Sequence, residues 1–104
     1  MFTIAETEIF SRYVSDYWTE EERAEFAIWI AEHYDAGDVV RGSGGCRKVR
    51  WARRGSGKRG GMRVIYFNTL EDGTIWLLLI YAKNECENIS ANVLKAIKEE
   101  ITCR

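Results

Sequence analysis

The chain is predicted to fold as an α+β domain, and three observations predict it. Apolar residues recur at helical spacing before the glycine-rich stretch at Gly42 and again after Ser90. They alternate with period two from Cys46 to Ala52, and the runs Met62 to Thr69 and Thr74 to Lys83 are rich in β-branched and aromatic side chains. Helices at the two ends and strands grouped between them call for helices packed on a mainly antiparallel sheet, in the order β-α-α-β-β-β-α.

Each element has its own signal. Phe2 to Ala5 suits a short first strand. Phe10, Tyr13, Val14 and Tyr17 follow i, i+3, i+4, i+7 spacing and predict a helix near residues 7 to 17. Thr19-Glu20-Glu21-Glu22 matches a capping box, so a second helix starts there, with Phe26, Ile30 and Tyr34 on its apolar stripe and Gly37 as its stop. Gly42-Ser43-Gly44-Gly45 breaks the chain. From Cys46 to Ala52 the residues Arg47, Val49 and Trp51 then alternate with Lys48 and Arg50, which describes a half-buried strand with a cationic face. The loop Gly55-Ser56-Gly57-Lys58-Arg59-Gly60-Gly61 leads into the next strand, and Glu71-Asp72-Gly73 turns that strand into the last one. Ser90 can cap a final helix whose apolar face is Val93, Leu94, Ile97 and Ile101.

A chain of 104 residues is the size of one domain, residues 1 to 104, with no repeat or linker. With 46% apolar, 30% charged and 12% aromatic residues it should fold as an ordinary globular protein. The longest apolar run, Ile75 to Ala82, is far short of the roughly 20 residues that span a bilayer as a helix. The N-terminus has no basic segment and meets carboxylates at once, so no secretory signal is expected and the cytoplasm is the expected location. Cys46, Cys86 and Cys103 are odd in number and lack paired spacing, which indicates reduced thiols rather than a disulfide framework or a zinc site. The only histidine, His33, lies in an acidic helical stretch and suits a solvated or helix-capping role; a two-histidine mechanism is excluded.

The net charge of −1 conceals a strong asymmetry. Residues 1 to 38 hold ten acidic and two basic side chains, whereas residues 39 to 70 hold nine basic ones and no Asp or Glu. Those nine are Arg41, Arg47, Lys48, Arg50, Arg53, Arg54, Lys58, Arg59 and Arg63. Such a block produces a local field that attracts polyanions whatever the global charge. Seven of the nine are Arg, whose planar fork binds phosphate in bidentate fashion and stacks on bases, and Trp51 lies among them.

Gly55, Gly57 and Gly60 satisfy G-x-G-x-x-G, but they join two strands and do not open a helix, so no dinucleotide site is expected. Ala52 and Arg59 break the P-loop pattern. A metal-dependent nuclease would set carboxylates beside its phosphate-binding groups, and the basic stretch has none. No metal and no other cofactor is expected. Phosphate chemistry by such a stretch points to RNA, whose own 2′-hydroxyl can attack the adjacent phosphorus. What remains is in-line positioning, a proton acceptor, charge stabilisation and a proton donor for the 5′-oxygen. Lys83, at the end of the last strand, is an acid/base candidate there, although alone it is an ordinary strand end and Tyr81 an ordinary strand aromatic.

The order of elements and three strings resemble the RelE/ParE superfamily of toxin–antitoxin toxins, and most closely its HigB-like branch. The strings are Gly44-Gly45-Cys46-Arg47-Lys48-Val49-Arg50-Trp51, Gly60-Gly61-Met62-Arg63-Val64-Ile65-Tyr66-Phe67 and Ile80-Tyr81-Ala82-Lys83-Asn84-Glu85. The resemblance implies a RelE-like fold and a ribosome-dependent, metal-independent mRNA endoribonuclease that stops translation. It puts Arg63 at the phosphorane, and Lys48, Lys83 and Tyr81 among the catalytic residues. Arg47, Arg50, Trp51, Arg53, Arg54, Lys58 and Arg59 then bind mRNA or ribosomal RNA. Relatives with a catalytic Tyr beyond the last strand differ from this chain, whose residues 84 to 104 contain none; Tyr81, Tyr66 and Lys83 are the alternatives. The implied partners are the ribosome with its mRNA and a cognate antitoxin, resembling a helix-turn-helix protein and encoded by an adjacent gene. Two other readings stay open: a ParE-like gyrase inhibitor, and a non-catalytic RNA-binding module.

Overall fold

The computed structural model describes residues 2–51, 61–69, 71–82 and 90–102, with the last three given by backbone alone. Its elements are β1 (Thr3–Glu6), α1 (Glu8–Val14), α2 (Glu20–Glu32), β2 (Asp38–Val39), β3 (Arg47–Trp51), β4 (Met62–Thr69), β5 (Thr74–Ala82) and α3 (Ala91–Thr102). The five strands form one sheet in the order β1-β5-β4-β3-β2. Every pairing is antiparallel except β1 with β5. The α+β class and the RelE-like order of elements are as the sequence predicts, with β2 added.

The sheet separates two apolar layers. On one face Phe10, Val14, Phe26 and Ile30 of the helical pair pack against Val49, Val64, Tyr66 and Ile80. On the other, Leu94 and Ile97 of α3 cover Cys46, Ile65, Leu78 and Tyr81. β4 and β5 are buried on both faces, which is why they read as nearly continuous apolar runs.

The local signals translate directly into structure. Thr19 accepts from the Glu22 backbone N–H at 3.2 Å while the Glu22 carboxylate accepts from Thr19 N–H at 3.0 Å, completing the capping box. Ser90 accepts from Asn92 N–H at 3.1 Å at the start of α3. Thr69 and the Thr74 N–H both donate to the Asp72 carboxylate, closing the β4–β5 turn. α1 is shorter than its apolar spacing suggests: beyond Val14 the chain continues in turns, Asp16 N–H to Tyr13 O and Tyr17 N–H to Val14 O. His33 caps α2, stacks on Trp29 at 4.7 Å, and places Nδ1 2.9 Å from the Trp29 carbonyl.

Gly37 has a different role from the one its position suggests. α2 has already ended at Glu32, and Gly37 is where the backbone passes closest to Tyr66. Its N–H donates to the Tyr66 hydroxyl at 2.9 Å, and that hydroxyl donates to the Tyr34 carbonyl at 2.9 Å. Arg47 donates to the Gly37 carbonyl at 2.7 Å. This clip joins the α2–β2 connection to the sheet. The glycine cluster that follows is needed for its backbone: Gly42, Gly44 and Gly45 have φ of 80°, 79° and 105°, and the loop closes around the buried Ser43 hydroxyl, which accepts from Cys46 N–H at 3.0 Å.

A second tie joins β1 to α2. Arg23 donates to both carboxylate oxygens of Glu6, one from Nε at 2.9 Å, and Ser11 adds a bond at 2.8 Å. Burial raises the Glu6 pKa, but the hydrogen bonds from Arg23 and Ser11 and the Arg23 charge outweigh it and hold the carboxyl below its usual range.

Two outcomes are expected. A Cβ at residue 37 would sit 2.9 Å from the Lys48 carbonyl and from the Tyr66 ring and hydroxyl, so Gly37→Ala should lower stability in urea unfolding. Overpacking of this kind costs about 1–3 kcal/mol. Because folding favours ionised Glu6, its contribution is present above the unfolded pKa and fades as pH falls through the lower folded one. The stability gap between wild type and Glu6→Gln should therefore narrow as pH drops below the ordinary 4.5.

Candidate active site

Strand register decides which of the basic side chains meet. Arg50 on β3 is opposite Arg63 on β4, and Arg63 is opposite Tyr81 on β5. Cross-strand partners share a face and stand about 4.5–5.5 Å apart. Arg50, Arg63 and Tyr81 are therefore one row across three strands, on the face that α3 also covers. Lys48, opposite Ile65, lies one row along the same face and diagonal to Arg63.

Tyr81 reaches that face because of an irregularity in β5. Tyr66 pairs with Leu77 but Ile65 pairs with Leu79, so Leu78 is an extra residue. Before it, Ile75 and Leu77 face the helical pair and Trp76 faces α3. After it the alternation is inverted: Ile80 faces the helical pair and Tyr81 faces α3. With regular pairing Tyr81 would point to the opposite side from Arg63. The bulge is held from outside the hairpin by Thr7. Its N–H donates to Leu77 O at 3.0 Å and its hydroxyl to Leu78 O at 2.8 Å, while the same hydroxyl accepts from Phe10 N–H as the cap of α1.

Burial grades the row. Arg63 is 8% exposed and Tyr81 7%, whereas Lys48 is half-buried and Arg50 exposed. A guanidinium held in a largely dry wall acts through a lower effective dielectric than a surface one, so it interacts more strongly with a bound anion. Arg50 and Lys48 flank Arg63 on β3 and are more open to solvent. The acidic first third of the chain supplies α1 and α2, which sit on the other side of the sheet.

Two of the basic-stretch candidates lie elsewhere. Arg47 faces the helical pair and is engaged with the Gly37 and Asp35 carbonyls. Trp51 packs edge-on against Phe26 at 5.2 Å and beside Trp29 at 5.0 Å, partly buried in the core below α2. Arg53, Arg54, Lys58, Arg59 and Lys83, together with Cys86 and Cys103, lie outside the described residues. Cys46 is buried against α3, with its Sγ 3.8 Å from the Leu94 carbonyl, and burial pushes the thiol pKa up. That environment suits an inert core thiol.

One residue that the sequence reading passed over joins the site. β2 sets Asp38 opposite Lys48. Val40, two residues on, packs into the α3-side cluster, which confirms that this face is the one Asp38 shares. A two-residue strand is too short to show alternation, so the sequence carries no signal for it. Among the described residues no three His, Cys, Asp or Glu side chains gather to hold a metal ion. The depression lined by Ile4, Glu6, Ser11, Arg23 and Ala27 is on the helical-pair side, around the Glu6–Arg23 pair.

The model of a protein family described as the RelE toxin of the RelE/RelB toxin–antitoxin system matches residues 4–102. The match runs from β1 to the end of α3 and so includes every strand of the sheet.

Thr7→Val should remove both the cap and the bond to the bulge. Losing a threonine cap and leaving a buried carbonyl short of a donor each cost on the order of 1–2 kcal/mol. Urea unfolding should show a loss in that range or above, with Thr7→Ser recovering most of it.

Proposed function

We propose that this chain, which belongs to the RelE family of toxin–antitoxin toxins, is a ribosome-dependent mRNA endoribonuclease that arrests translation. The observation that carries this reading is the cationic row: Arg50, Arg63 and Tyr81 in cross-strand register, with Lys48 beside them on the same face. It is an anion-binding wall of the right chemistry for a phosphodiester.

In this mechanism the RNA supplies its own nucleophile. The 2′-hydroxyl attacks the adjacent phosphorus, the 5′-oxygen departs, and a 2′,3′-cyclic phosphate and a 5′-hydroxyl result. Arg63 stabilises the charge that builds on the phosphorane oxygens, where its burial makes it most effective. Lys48 and Arg50 hold the backbone in line, Tyr81 on β5 serves the leaving oxygen, and Lys83 is a further candidate for the proton transfers. Arg53, Arg54, Lys58 and Arg59 are assigned to bind mRNA or ribosomal RNA.

Family membership brings a cognate antitoxin as partner. We assign the antitoxin a helix-turn-helix fold and an adjacent gene, and the toxin itself to the HigB-like branch, on the three sequence strings. One domain, residues 1 to 104, carries the activity, and its substrate places it in the cytoplasm. Among the described residues no helix is long and apolar enough to cross a membrane.

The test is to add the protein to a translating extract and map mRNA 5′-ends by primer extension. New ends that require ribosomes are expected, and Arg63→Ala should reduce them about 10²–10³-fold, the scale for removing one charge-stabilising donor. Blocked translation with intact mRNA would favour passive RNA binding instead. Unimpaired translation with trapped gyrase cleavage complexes would favour the gyrase inhibitor.

A further inference from the structure

We infer that Asp38 is the proton acceptor of this site, taking the proton from the attacking 2′-hydroxyl. The inference rests on the endoribonuclease reading above and supplies what the basic stretch lacks. Charged Lys and Arg side chains only donate hydrogen bonds, so Lys48, Arg50 and Arg63 can hold a phosphate but cannot, in that state, receive a proton. A carboxylate is acceptor-only when ionised. Asp38 is the sole carboxylate on the α3-side face of the sheet among the described strand residues.

Its position is built. Gly37, immediately before it, has both backbone polar groups tied: N–H to the Tyr66 hydroxyl at 2.9 Å and carbonyl to Arg47 at 2.7 Å. The next residues pair through Asp38 with Lys48 and Val39 with Arg47, and Val40 N–H donates to Cys46 O at 2.8 Å. The backbone at residue 38 is therefore fixed on both sides, while the side chain is exposed and able to meet a substrate. Lys48 stands between Asp38 and the Arg63 row, so a ribose on the β2 side of a phosphate seated on Lys48 and Arg63 would face Asp38.

The step balances without any co-reactant. The 2′-O–H bond breaks and its proton passes to the Asp38 carboxylate as the 2′-O–P bond forms. The P–5′-O bond then breaks, and a donor on the row protonates the leaving oxygen. Asp38 then gives its proton to water and the donor regains one from water, so both groups are restored with no net proton taken up. Arg47, which holds the Gly37 and Asp35 carbonyls and does not reach the row, is a positioning residue in this arrangement, and that accounts for an arginine of the basic stretch facing away from the row.

The experiment is single-turnover cleavage of a programmed ribosomal complex by purified wild type, Asp38→Asn, Asp38→Glu and Asp35→Asn. Loss of a general base lowers rates by about 10²–10⁴-fold. Asp38→Asn should show a loss of that size while binding the complex as tightly as wild type, Asp38→Glu should restore part of the rate, and Asp35→Asn should match wild type. A substrate with sulfur in place of the 5′-bridging oxygen has a leaving group that needs no proton. Asp38→Asn should remain slow on it, because attack still requires the 2′-proton to leave. Rescue to the wild-type rate by this substrate would overturn the assignment and make Asp38 a leaving-group residue. So would cleavage by Asp38→Asn within threefold of wild type, or a loss confined to binding. Absence of cleavage by the wild type would overturn the endoribonuclease reading itself and this assignment with it.

Discussion

The hydroxyl of Thr7 and the extra residue it holds at Leu78 constrain more of this molecule than any charged group does. A strand has period two, so a single inserted residue inverts everything that follows it. The inversion in β5 leaves Ile75 and Leu77 under the helical pair, keeps Ile80 there too, and turns Tyr81 to the opposite face beside Arg63. The bulge would otherwise leave a strand carbonyl without its ladder partner. Thr7 satisfies it from the β1–α1 junction and caps α1 with the same oxygen, so the N-terminal segment and the placement of a candidate site residue are one structural fact.

The sheet also sorts charge. Six of the ten acidic residues of the first third sit in helices on one side, and the cations Lys48, Arg50 and Arg63 lie on the other, with the β4–β5 core between them. A protein with net charge −1 thereby carries a strand face of concentrated positive charge. The exceptions are informative. Arg47 and Trp51 belong to the basic stretch but fall on the helical-pair face, because alternation along β3 leaves only Lys48 and Arg50 for the α3-side face.

Asp38 crosses the divide in the other direction. It is the last residue of the acidic third, and the Tyr66–Gly37–Arg47 clip delivers it to the edge of the cationic face. The clip costs the chain its freedom at residue 37, where only glycine leaves room for the Tyr66 ring. A tyrosine that reads in sequence as a substitute catalytic group thus serves as a buried tie, with burial pushing its phenol pKa up.

The α+β class, the order of the helices and longer strands, the Thr19 capping box, the Asp72 turn and the separation of charge were legible in the sequence because each depends on neighbours a few residues apart. Periodicity and capping are local, and charge is additive. The short strand β2, the parallel pairing of β1 with β5 and the true task of Gly37 were not legible, since each depends on partners eight or more positions away. The same limit applies to the site. Composition identified the basic stretch, and the strings nominated Arg63 and Lys48, but which cations form a row is a matter of register. Register depends on the bulge, and the bulge on a hydrogen bond between Thr7 and Leu78, 71 residues apart. The sequence by itself determined that this protein has an acid-free basic stretch on an α+β scaffold. The tertiary structure alone decided which of its side chains share a surface, because strand pairing sets which faces meet.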